Sequence, residues 1–210
     1  MGFIGDIVVI HNPESRGLAA LAEHAGGDGH PVYREWSFAD AWHAFFVRHF
    51  DEPFEYDMAW LTGLMNRTGA PVLVCNVLES DLARVRGVSA AGPWEGWLDH
   101  DDAAAQIANT RWSEYMSDPA NHTYTTEGYL DPPYELIDVF RAEAELELER
   151  HRGQCARDAA RWAAAAGRGG APNPFLPPPA AGGDPFVESL FFDLLETLGF
   201  GPAEPHIVEV

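Results

Sequence analysis

The run VLVCNVL at residues 72–78 is apolar at every position except Asn76. A strand with one wet face alternates, and this run does not, so it must be covered on both sides as an interior strand. Its neighbour differs. In residues 82–88, Ala83 and Val85 alternate with Arg84 and Arg86, the pattern of a strand with one solvated face. SAAGP at 89–93 carries turn chemistry, and Trp94 to Leu98 reads as a returning third strand. Residues 71–98 therefore predict an antiparallel meander as the β centre of an α+β fold, with Val72, Val74, Val77 and Leu78 buried.

The flanks supply the other elements. FIGDIVVI at 3–10 reads as an interior strand stopping at Asn12-Pro13, a short helix follows at 17–25, and Pro31 to Trp36 reads as another strand. Residues 38–50 place Phe38, Ala41, Trp42, Phe45, Phe46 and His49/Phe50 at helical spacing, and 55–67 is apolar nearly all round, predicting a deeply placed helix. Asp99 to Asp102 open a further helix, and 110–131 shows no clear period.

A long helix is expected from Asp131-Pro132-Pro133, with the aspartate as N-cap and proline in the first turn. Unbroken to Gly167 it would span roughly 50 Å, more than the diameter of about 43 Å expected of a compact chain of this length. A break at Gly153 or an overhang follows. The Gly, Pro and Ala of residues 167–184 read as a linker between an α+β domain at 1–166 and a C-terminal segment at 185–210. In that segment Val187, Leu190, Phe191, Leu194, Leu195 and Leu198 mark an amphipathic helix over 185–198 that should dock. Phe191 lies on its apolar face and Phe192 beside it does not. Hiding both takes two neighbours, which points to a protein partner or a homodimer through this helix.

Charge narrows the partner. The 33 acidic residues face 13 basic ones, a net charge of −20, which argues against nucleic acid. All thirteen basic residues are arginine, a bias that with the many Ala, Gly and Pro resembles the product of a GC-rich genome. Cys75 and Cys155 are too few and too far apart for a disulfide framework or a cysteine zinc site. No stretch has the length of a membrane span and the N-terminus lacks a basic leader, so a cytoplasmic protein without a membrane partner is expected, which leaves the Asn121 sequon unused.

The chemistry-bearing motifs are weak. GxxxxGKS/T, GxGxxG after a strand, GxSxG and HExxH are all missing, so no cofactor is called for. Glu79 and Asp81, at the exit of strand 72–78, could hold a hard cation or act as an acid/base pair, but a turn whose acids cap free backbone N–H groups accounts for them better, since such turns are abundant. Asp99-His100-Asp101-Asp102 mixes histidine with carboxylates, yet consecutive residues splay apart and acids suit a helix start. Both groups are expected to bind no metal. His43 and His49 are spaced wrongly for a helical metal pair, Trp94 and Trp97 fall on opposite sides of a strand, and the PxxP within Pro174 to Pro179 reads as a spacer. Two readings remain. One is a non-enzymatic, immunity- or antitoxin-like factor whose acidic surface covers a basic partner. The alternative is a small metal-dependent or acid/base enzyme using Glu79, Asp81, Asp99 and Asp102 at the ends of the meander.

Overall fold

The computed structural model describes residues 5–11, 32–48, 57–78, 82–169 and 187–207. Strands β1 (Gly5–His11), β2 (Val32–Phe38), β3 (Trp42–Arg48), β4 (Val72–Leu78), β5 (Leu82–Ser89), β6 (Gly92–Trp97) and β7 (Glu204–Ile207) form one antiparallel sheet. Its order is β6-β5-β4-β1-β3-β2-β7. The expected meander is β4-β5-β6, and the sheet continues beyond it through β1, which occupies the middle. Helices are α1 (Met58–Thr68), α2 (His100–Ser117), α3 (Glu135–Ala165) and α4 (Val187–Thr197). The fold is α+β, with a long helix and a C-terminal helix.

Two compact units divide the chain, one comprising residues 1–98 and 153–210 and the other 99–152. The first holds the sheet, whose two faces are both covered. On one face Ile7, Val9, Trp42, Ala44, Leu73, Cys75 and Val85 meet Ala159 and Trp162 of α3 and Phe191, Leu194 and Leu195 of α4. On the other, Val8, Ile10, Phe45, Val47, Val72 and Val74 meet Leu61 and Leu64 of α1. This explains the unbroken apolar run of β4. Trp94 fills the first face, and the indole of Trp162 donates from Nε1 to the carbonyls of Val72 (3.0 Å) and Val88 (3.1 Å), which face each other across β4 and β5.

Four local expectations need correction. Of the expected helix 38–50, residues 38–48 are not helical: Phe38 and Trp42 are cross-strand partners, joined by a 3-10 turn at Ala39–Ala41 in which Asp40 and Ala41 both have φ of 59°. Trp42 and Ala44 fill one face of the sheet while Phe45 and Val47 fill the other, so the apolar stretch is that of a strand buried on both sides. Helix α1 is buried on one side only, at Leu61 and Leu64, with Ala59 exposed. Its ends are as read: Asp57 caps Trp60 N at 2.7 Å and Gly69 closes it with φ of 68°. The third meander strand begins at Gly92, before Trp94. Helix α3 starts at Glu135 and runs through Gly153 without a break.

Helix α4 docks as its pattern demands, burying Val187, Phe191, Leu194 and Leu195. Most of the 167–184 linker and the 17–25 helix lie outside the described residues.

The second unit is a helical hairpin of α2 and the α3 stretch 135–152, with a bridge between Tyr124 and Leu130 in its connection. Ring contacts between Trp112 and Tyr134 (5.5 Å) and between Tyr115 and Phe140 (6.4 Å), with the Arg111–Glu147 pair at 2.6 Å, hold it together. Its fully buried positions are Ala103, Ala104, Ala108 and Ala144, and every larger apolar side chain in it keeps some exposure.

Candidate interaction site

The acids singled out from sequence fall as follows. Asp99 is the N-cap of α2, its Oδ1 accepting from Asp101 N (2.9 Å) and Asp102 N (3.1 Å), so this acidic cluster satisfies helix-end amides. Asp102 is exposed in the first turn. His100 presents Nδ1 to Arg152 Nη2 at 3.0 Å, and burial together with the Arg152 charge lowers its pKa. Glu79 and Asp81 lie outside the described residues. Among the described residues no three His, Cys, Asp or Glu side chains converge as metal ligands.

A polar row that the sequence reading passed over crosses the sheet on the α1 face. Asp6 on β1, 2% exposed, accepts from Asn76 Nδ2 on β4. Arg84 on β5 is the next residue in the row and pairs with Glu95 at 2.6 Å while lying 5.5 Å over Trp97. Asp6 and burial together push the Cys75 thiol well above its ordinary pKa, burial contributing most. The available signal was a single carboxylate inside GDIVVI. The carboxylate and amide are bonded to each other and the guanidinium to Glu95, while Asn76 Oδ1 and Arg84 Nε are buried without a hydrogen-bond partner.

An open groove lies at the β2–β7 side of the sheet. It encloses about 230 Å³ between Trp36 and Phe38 of β2, Pro205 of β7, and Phe192, Asp193 and Glu196 of α4. Alternation along β2 sends Trp36 and Phe38 to the α4 side, and their cross-strand partners Pro205 and Trp42 fix that register. Phe191 turns into the core, whereas Phe192 packs on Trp36 of the same chain at 4.8 Å. Phe192 keeps part of its surface open, and Asp193 and Glu196, one turn apart, stand exposed beside it.

Aromatic faces with carboxylates at the rim attract cations, through the ring quadrupole and through charge. The chain contains an internal instance of the same chemistry. The guanidinium of Arg168, whose side chain is 8% exposed, lies 5.1 Å over Phe200 and 6.0 Å over Trp42. It donates to Asp40 Oδ2 (3.0 Å) and Ala39 O (2.5 Å). The other arginines in ion pairs, Arg84, Arg86, Arg111, Arg141, Arg152 and Arg161, are likewise matched by the chain's own acids.

No protein family, curated protein or solved structure matches this chain. No helix among the described residues is long and apolar enough to cross a membrane.

Proposed function

We propose that the chain is an interaction protein that takes a basic segment of a partner protein into the groove between α4 and β2–β7, as an immunity- or antitoxin-like factor would. The observation that carries this reading is the juxtaposition of Trp36 and Phe192, 4.8 Å apart, with the exposed carboxylates of Asp193 and Glu196 in one open concavity. A homodimer through the same helix is disfavoured, because it would bring two acidic rims together in a chain of net charge −20. The partner's cation would stack on the rings and bond the rim, and affinity would fall with added salt. The test is a titration of the labelled protein with short arginine-rich, lysine-rich and glutamate-rich peptides, following the indole N–H resonance of Trp36. The cationic peptides should shift it, and Asp193→Asn with Glu196→Gln should weaken them about tenfold, or about 1.4 kcal/mol. An unmoved indole, or an equal response to the glutamate peptide, would remove the proposal.

A further inference from the structure

The large apolar side chains that stand most exposed among the described residues, Tyr124, Tyr129, Leu130, Tyr134, Val139 and Leu146, all fall in the helical hairpin. Tyr129 is 69% exposed and Leu146 63%. Exposed apolar side chains gathered on a unit with no large buried side chain offer surface to a partner.

Within α3 the exposure has a period. Phe140 packs toward Tyr115 of α2, and Glu143 and Glu147 reach Arg111, so this side faces the partner helix of the hairpin. Val139, Ala142 and Leu146 are all exposed and lie on a different side at i, i+3 and i+7, the spacing of a coiled-coil seam. Glu135 and Glu149 continue the line at its two ends, with Asp138 and Glu145 beside it and Arg150 on the opposite border, all exposed, and Glu145 and Glu149 pair with Arg141 and Arg152. Stretched over residues 135–149, the seam is about 22 Å long at 1.5 Å per residue, the length of about two heptads of a facing helix.

We infer that this seam docks a basic amphipathic helix of a partner protein. Its leucine-like positions pack between Val139, Ala142 and Leu146, and its flanking cations meet the bordering carboxylates. A second copy of this chain is excluded as the occupant by charge, since it would set the same acidic borders against each other. The surface is built from residues of the hairpin alone, so the inference stands whether or not the groove binds anything.

The probe is a pair of labelled synthetic helices of about 21 residues, or three heptads, with leucine and isoleucine at the seam. One carries lysine at the flanking positions and the other glutamate. Titrated with the full chain and read by fluorescence anisotropy, the lysine helix should bind and the glutamate helix should bind at least about tenfold more weakly. Val139→Ser with Leu146→Ser should weaken the lysine helix about tenfold at unchanged thermal stability, because both residues are exposed. Asp193→Asn with Glu196→Gln, in the groove, should leave this binding unchanged. The inference is overturned if the lysine helix does not bind, if both helices bind equally, or if the serine variant binds as before. It is also overturned if the chain sediments as a dimer that the serine variant dissolves.

Discussion

Trp162→Phe is the substitution that most directly probes how α3 is held to the sheet. Trp162 is fully buried, and its one polar atom is shared between the carbonyls of Val72 and Val88 at 3.0 and 3.1 Å. Phenylalanine keeps a ring against Trp42 and Phe200 but cannot donate. Leaving the buried acceptors short costs about 1–3 kcal/mol. The smaller ring adds about 1 kcal/mol through incomplete collapse of the space it vacates. The sum is about 2–4 kcal/mol, which for a chain of this size lowers the midpoint of thermal unfolding by roughly 5–15 °C. Urea titration followed by circular dichroism measures the loss directly, with Phe200→Leu as a companion that removes ring contact and no donor. If Trp162→Phe costs less than about 0.5 kcal/mol, within the range of surface substitutions, the bridge contributes nothing and the reasoning fails.

Gly87 sits opposite Trp94 in the β5–β6 ladder, and a Cβ there would come within 2.2 Å of the indole nitrogen, so Gly87→Ala should destabilise by about 1–3 kcal/mol in the same urea assay. Asp99→Ala removes the cap of α2 and should cost about 0.5–2 kcal/mol, whereas Asp99→Asn should retain most of it. His100 has its pKa lowered, first by burial and then by Arg152, so the folded state resists a proton that the unfolded state accepts. Its contribution is fully present above the ordinary imidazole value near 6.5 and is lost as pH falls toward the lowered folded value. Stability measured from pH 7.5 down to about 5 should therefore drop more for the native chain than for His100→Gln, and parallel curves for the two would contradict this.

Much of the sheet was legible because its strands bury different numbers of faces. The unbroken VLVCNVL, the alternation of Arg84 and Arg86, and the apolar GDIVVI each carried a strand signal, and the spacing from Val187 to Leu198 carried a helix signal. Residues 42–48 misled because a strand buried on both faces has apolar side chains everywhere, so any period can be fitted to it. The aromatic and β-branched content of AFFV was the better guide. Gly153 did not break α3, since one glycine costs only about 1 kcal/mol against a long run of helix formers. At the other end, Pro132 and Pro133 hold the residues before them out of the α region, and the helix begins only at Glu135.

Of the site, the capping role of Asp99 could be read from the first-turn acids. The groove could not, because it joins residues 36 and 38 to 192–196 and 205 through the β2–β7 pairing, which no local pattern encodes. Phe192 gave half the answer by falling off the apolar face of α4. Its neighbour proved to be Trp36 of the same chain.

The compact unit that holds the sheet is assembled from two stretches of sequence, with the hairpin inserted between them. This arrangement sets a timetable for the growing polypeptide. When Leu98 leaves the ribosome, all strands but β7 have been made, yet Ile7, Val9, Leu73 and Val85 still lack the Trp162, Phe191 and Leu195 that will cover them. Roughly a hundred further residues must be added before Leu198 emerges, which at about 5–20 residues per second takes on the order of 5–20 s. Until Trp162 is made that side of the nascent sheet has none of its helical cover, and until Leu198 it has only part of it. The yield of folded chain should therefore respond to holdase chaperones and to lower growth temperature more than to changes in the finished surface.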